Sequence, residues 1–222
     1  MSDTTPGRRN GGGTPGWATG RLARRGDLQL IADLVRPGSR VLDIGCGDGA
    51  LLEYLVTEKQ VTGRGLEFGQ SGVNAAVARG LSVIQGDANT DLEDYPADAF
   101  DYAVLSKTLQ ATRSPAAVLR QLVRIGRLAI VSFPNFGYWR VRLALLLRGR
   151  MPRTSSLPDH WYETENIHLC TISDFLDLCE SCRIRVEAAY VVAPDRTAKP
   201  IRSVRSANLF GQDGVFLLSA RS

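Results

Sequence analysis

A strand-like run into a glycine turn constrains this chain more than any other feature. In VLDIGCGDG, residues 41–49, Gly45, Gly47 and Gly49 alternate with other residues and lead straight into the helical stretch ALLEYL. Such a turn accepts positive φ and lets backbone approach a ligand closely, because no Cβ intrudes. The helix that follows offers N–H groups without intrahelical partners. The spacing is GxGxG, not the GxGxxG of the dinucleotide fingerprint, so the third glycine does not sit where helix packing beside a pyrophosphate needs it. NAD and FAD are thereby disfavoured; a small polar ligand, or a tight turn with no ligand at all, remains.

Two acids at matching places favour the ligand. Eighteen residues past Gly49 a second strand ends in Glu67, where a carboxylate can accept both hydrogen bonds of a ribose diol. Twenty residues further, a third strand gives way to Gly86-Asp87-Ala88, and a carboxylate there can reach an adenine edge. Singly, each acid reads equally well as a solvated strand end. Together they come from the carboxyl ends of neighbouring strands, where open parallel sheets bind ligands, and the combination predicts a nucleoside site.

The rest of the pattern supports such a sheet. Strand-like stretches at 40–44, 62–66, 81–84, 100–105 and 128–132 alternate with helix-like ones at 50–57, 72–79 and 116–124. The strands are short and apolar, as in a parallel sheet covered on both faces. A helix is also predicted from Leu28, Ile31, Leu34 and Val35, stopped by Pro37-Gly38. After Pro134 come a helix at 138–147, a loop to about His168, a helix at 173–181, and strands at 184–192 and 215–218 that can pair antiparallel at the sheet edge. Residues 193–214 read as one long loop. The expectation is an α/β fold with a seven-stranded, mostly parallel, doubly wound sheet and an antiparallel last strand.

Composition bounds the function classes. Of 222 residues, 44% are apolar and 23% charged, an ordinary globular balance. The net charge of +4 resides in residues 1–25, where five arginines face one acid, so the basic pI implies no nucleic-acid footprint on the body. Residues 1–20, rich in Gly, Thr and Pro, read as a disordered tail preceding a domain at 21–222. No apolar segment follows Arg8-Arg9, which predicts no secretion signal and a cytoplasmic location. The longest aliphatic run, 143–147, is too short to span a membrane. Four cysteines with a single CxxC, Cys179 and Cys182 on a helix, suggest reduced thiols and no metal site.

The glycine loop with Glu67 and Asp87 resembles the class I S-adenosylmethionine-dependent methyltransferase (Rossmann-like) fold. That resemblance implies the glycine turn, here Asp43, Gly45 and Gly47, near the methionine part of the cofactor, Glu67 on the ribose, and Asp87 with Ala88 near adenine. The blocks SFPNFGYWRVR and NIHLCTI, with the stretch around the glycine loop, are similar more narrowly to the MetW family of methionine-biosynthesis proteins over residues 27–192. The family likeness implies action with a homoserine O-acyltransferase (MetX) and binding of S-adenosylmethionine or S-adenosylhomocysteine. An active methyltransferase on a small molecule is the alternative.

No catalytic residue is assigned. The positions after the fourth and fifth strands read Ser106-Lys107-Thr108-Leu109-Gln110 and Pro134-Asn135-Phe136, without a DPPY or NPPY clamp. In-line transfer from a sulfonium depends mainly on positioning, so a missing base excludes nothing. His168 reads as a packed or capping residue more readily than as a base, and His160 beside Trp161 and Tyr162 as either a lid or a surface cluster. The arginine-rich, aliphatic stretch from Tyr138 to Arg153 is either a partner-docking helix or a helix covering the sheet with its arginines snorkelling to water.

Overall fold

A computed structural model of the chain describes residues 25–154 and 156–221; the tail at 1–20 lies outside them. Helix α1 (Gly26–Leu34) precedes β1 (Arg40–Ile44), α2 (Ala50–Lys59), β2 (Thr62–Glu67), α3 (Gln70–Val77), β3 (Val83–Gln85) and β4 (Phe100–Ser106). Helix α4 (Pro115–Ile125), β5 (Gly126–Pro134), α5 (Trp139–Arg148), α6 (Ile172–Ser181) and β6 (Ile184–Val192) follow. The chain ends in β7 (Ala198–Pro200), α7 (Val204–Phe210) and β8 (Asp213–Ala220).

One sheet orders the strands β3-β2-β1-β4-β5-β8-β6-β7. Strands β1 to β5 pair in parallel, and β8 runs antiparallel to both β5 and β6. The antiparallel last strand agrees with the sequence reading, but it lies inside the sheet instead of at its edge. The sheet has eight strands, not seven. The eighth, β7, pairs antiparallel with β6 inside the segment read as a loop, and α7 follows it there. All three β7 residues are exposed and α7 buries only Ala207, so neither carries an apolar pattern that local sequence could reveal.

Side-chain alternation splits the core into two layers. Val41, Tyr102, Val104, Ile130 and Val215 pack with α1 and α2 on one face. Leu42, Ile44, Ala103, Leu105, Ala129, Val131 and Phe216 pack with α4 and α6 on the other. The two-residue strand period accounts for this sorting. On the second face the rings of Phe133, Phe175 and Phe216 meet with centroids 4.6–5.7 Å apart. Pro115 opens α4, and Val118, Leu119, Leu122 and Ile125 place one buried stripe against the sheet. The Thr171 hydroxyl and the Asp174 carboxylate cap α6 reciprocally. No helix among the described residues is long and apolar enough to cross a membrane.

Candidate functional site

The parallel strands end together, and the order reverses between β1 and β4, the switch point where such sheets open a crevice. A cleft of about 660 Å³ lies there, and Gly45, Gly47, Glu67, Asp87 and Ala88 line it. Five of the six residues expected in the site are therefore brought together. Its remaining walls include Phe68, Ser71, Thr108, Thr112, Arg113 and Glu165.

Three left-handed glycines shape the turn, with φ of 68°, 55° and 77° at residues 45, 47 and 49. A Cβ on Gly45 would collide with the Thr108 hydroxyl, whereas one on Gly47 would meet nothing within 4 Å. The cleft thus reaches the backbone itself at Gly47. The Glu67 carboxylate holds the two flanking loops: Oε2 accepts from the Gly47 N–H at 2.7 Å and Oε1 from the Gly69 N–H at 2.8 Å. A carboxylate oxygen can accept more than one hydrogen bond, so this arrangement leaves capacity for a diol. Next to it Phe68 is 72% exposed, an aromatic face at the cleft without a cover.

Asp87 is more engaged. Its Oδ1 accepts from Asn89 N at 2.8 Å and from Asn89 Nδ2 at 2.6 Å, and Oδ2 accepts from Arg113 at 2.7 Å. Burial draws the carboxyl upward, but the hydrogen bonds from Asn89 and the Arg113 guanidinium outweigh it and hold Asp87 below the usual range. Glu165, from the loop before α6, also lines the cleft, and nothing local in the chain marks it or Arg113 as a site residue.

Asp43 does not line the cleft. It shares strand parity with Val41, which packs on the α1 face, and is only 2% exposed. Burial pushes its carboxyl up to about 7, with Glu67 adding to the rise and Arg25 opposing it. The folded value lies above the unfolded one of about 4, so Asp43 binds a proton more readily when folded. Its ionisation therefore lowers stability as pH rises from about 4 to 7, by up to about 1.4 kcal/mol per pH unit. Asp43→Asn is expected to gain stability relative to the parent between pH 5 and pH 8. Urea midpoints at both values test this; parallel pH dependence in the two proteins would remove Asp43 as the cause.

A charged cluster lies where β4, β5 and β8 meet. Lys107 Nζ lies 3.1 Å from Asp213 Oδ1 and 3.9 Å from Asp27 Oδ2. Arg25 pairs with Asp27 at 2.8 Å and donates to the Ser106 hydroxyl at 3.2 Å. The Ser156 hydroxyl donates to Asp213 Oδ2 at 2.9 Å. The two histidines lie apart from the cleft's lining: His168 is exposed with Nε2 3.4 Å from the Arg113 carbonyl, and His160 stacks on Tyr162 beside a second groove. All four cysteines are free thiols.

The mostly parallel sheet, the glycine turn and the strand-end acid define the class I S-adenosylmethionine-dependent methyltransferase fold. A Thermotoga maritima SAM-dependent methyltransferase, described as a possible histamine N-methyltransferase, superposes with a TM-score of 0.66 at 18% identity, covering 90% of this chain and 91% of that one. A chain from the Haloferax volcanii complex between the Trm112 methyltransferase activator and a methyltransferase gives a TM-score of 0.62 at 17% identity, covering 94% and 95%. The family described as methionine biosynthesis protein MetW matches residues 25–218, and the chain belongs to that family. It is 35% identical over 170 residues to the bifunctional methionine biosynthesis protein MetXA/MetW of Rhodopirellula baltica. That match takes in 72% of this chain and spans 27% of the relative's length.

Proposed function

We propose that this chain is an accessory protein of methionine biosynthesis that binds S-adenosylmethionine or S-adenosylhomocysteine in the glycine cleft and acts on a homoserine O-acyltransferase. The observation that carries the ligand reading is the Glu67 carboxylate, fixed between two loop N–H groups in a cleft that reaches bare backbone at Gly47. The residues fit the nucleoside. Glu67 takes the ribose diol, Phe68 stacks on the purine, Asp87 and Ala88 meet its edge, and the Gly45–Gly47 backbone lies along the methionine part. A cleft of about 660 Å³ is of the size that holds a small ligand. When bound, S-adenosylmethionine supplies an electrophilic methyl group.

Support for an accessory role comes from the Rhodopirellula relative, whose name joins MetXA and MetW in one polypeptide. It also comes from the ends of β4 and β5, where a methyl acceptor would sit. There Lys107 is engaged by Asp27 and Asp213, and both acids are buried. Methyl transfer to a small molecule is the second reading, favoured by the cleft's extension past Gly45 to Thr108 and Thr112. The deciding experiment combines calorimetry with both ligands and an acyl-transfer assay of a homoserine O-acyltransferase with and without this chain. Ligand binding together with complex formation and altered acyltransferase activity is expected. No complex and unchanged activity would overturn the accessory role, and no binding of either ligand at millimolar concentration would overturn the cleft assignment. Release of S-adenosylhomocysteine on addition of an acceptor would favour the second reading.

A further inference from the structure

Helix α5 leaves most of its apolar residues exposed. Its sequence WRVRLALLLR is mostly aliphatic, yet only Val141 is buried. A helix that covers a sheet buries a stripe of residues three and four apart, and α5 buries none. Leu146 is 80% exposed and Leu147 72%, with Leu143 and Leu145 also exposed. The covering-helix reading of this stretch is therefore excluded. Beyond the helix, Met151, Trp161 and Tyr162 continue the exposed apolar surface. They line a groove of about 660 Å³ together with Phe136, Leu157 and Leu169.

Charge along this surface is predominantly positive, with Asp159 the one acid in the groove's lining. Arg140, Arg142, Arg148, Arg150 and Arg153 lie along it, and the sequence holds no Asp or Glu between Asp101 and Asp159. Arg140 rests over the Trp139 ring at 5.4 Å. Large exposed apolar patches mark interaction sites, and Trp, Tyr and Arg are the residues that carry most binding energy at interfaces. The charge selects a partner with an acidic rim.

The segment between the groove and α6 touches both sites. Trp161 and Leu169 line the groove, while Glu165 lines the nucleoside cleft. The Ile167 and Leu109–Ala111 regions are tied together, because the N–H groups of Ile167 and His168 both donate to the Gln110 carbonyl at 2.9 Å. A protein seated in the groove therefore lies one loop away from the ligand.

We infer that the exposed leucine face of α5, with Met151, Trp161 and the flanking arginines, is where the homoserine O-acyltransferase docks, through an apolar patch with an acidic rim. This rests on the accessory reading above. The test mixes the full chain with the acyltransferase and measures affinity by calorimetry, for the parent and for Leu146→Asp combined with Leu147→Asp. Both positions are exposed, so the core is untouched, and unchanged binding of S-adenosylhomocysteine verifies the fold of the variant. The variant is expected to bind the acyltransferase at least about 10-fold more weakly, and Arg148→Glu with Arg150→Glu to weaken it as well. Equal binding by the parent and the leucine variant overturns the surface and leaves the partnership standing. Absence of binding by the parent removes the partnership itself and this inference with it. Two further outcomes would assign the face to another occupant and overturn the proposal: leucine-dependent self-association of the chain alone, or leucine-dependent binding to vesicles containing anionic lipid, with acyltransferase affinity unaffected by the variant.

Discussion

Lys107→Met is expected to cost about 3–5 kcal/mol of folding stability at pH 8, the range seen when one partner of a buried ion pair is removed. The lysine lies 3.1 Å from one buried carboxylate and 3.9 Å from another, and methionine keeps its length while deleting the charge. In the parent the two acids respond oppositely. Burial draws Asp27 upward, but Lys107 and Arg25 outweigh it and hold its carboxyl below the usual range. Its stabilisation is present above the unfolded value of about 4 and is lost as pH falls through the folded value. Burial raises Asp213, and the neighbouring Asp27 adds to the rise against the pull of Lys107 and Ser156. Its ionisation costs stability as pH climbs from the unfolded value to the folded one.

Without the lysine both acids lose their main compensating charge, and both folded values move up. The penalty of the variant should then shrink at pH 5, where the carboxyls can neutralise, and grow toward pH 8. Denaturant unfolding of both proteins at the two pH values measures this. A loss under about 1 kcal/mol with no pH trend would mean that the cluster is solvated and that α1 is not fastened to β4 and β8 through it.

This cluster also shows where sequence reasoning stops. Asp27, Lys107 and Asp213 come from the start of α1, the end of β4 and the start of β8, and no spacing rule pairs them; only the sheet order does. The glycine turn, Glu67 and Asp87 were legible because each is adjacent to its own strand, and strand ends in a parallel sheet converge without further information. Asp43 differs from these for a related reason. It belongs to the same motif, but it shares the strand parity of Val41, is buried and is absent from the cleft's lining. Arg113 and Glu165 reach the cleft from loops whose local sequence says nothing of their destination. Strand β7 exists because β6 offers an edge to pair with, not because Ala198–Pro200 has strand character of its own. For α5 the sequence left two readings, and exposure removes the covering helix.

The second large effect concerns Glu67, and it separates a ribose contact from a loop brace. Glu67→Ala removes a carboxylate that accepts from the Gly47 and Gly69 N–H groups, and with it the acceptors for a ribose diol. Hydrogen bonds to a charged group are worth about 1.5–3 kcal/mol, so affinity for S-adenosylmethionine and S-adenosylhomocysteine is expected to fall by roughly 10- to 150-fold. Stability should fall far less, because both N–H groups border an open cleft where water can replace the lost acceptor. Adenosine distinguishes the two roles. It has the diol and lacks the methionine part, so loss of a ribose contact weakens adenosine by the same factor as the full ligands. A brace acting on the Gly45–Gly47 backbone weakens the full ligands and leaves adenosine nearly unchanged. Glu67→Gln, which keeps one acceptor oxygen and the side-chain length, should fall between parent and alanine in the first case. Calorimetric titration of the three proteins with all three ligands reads the difference, and equal affinity for adenosine throughout would remove Glu67 from the ribose.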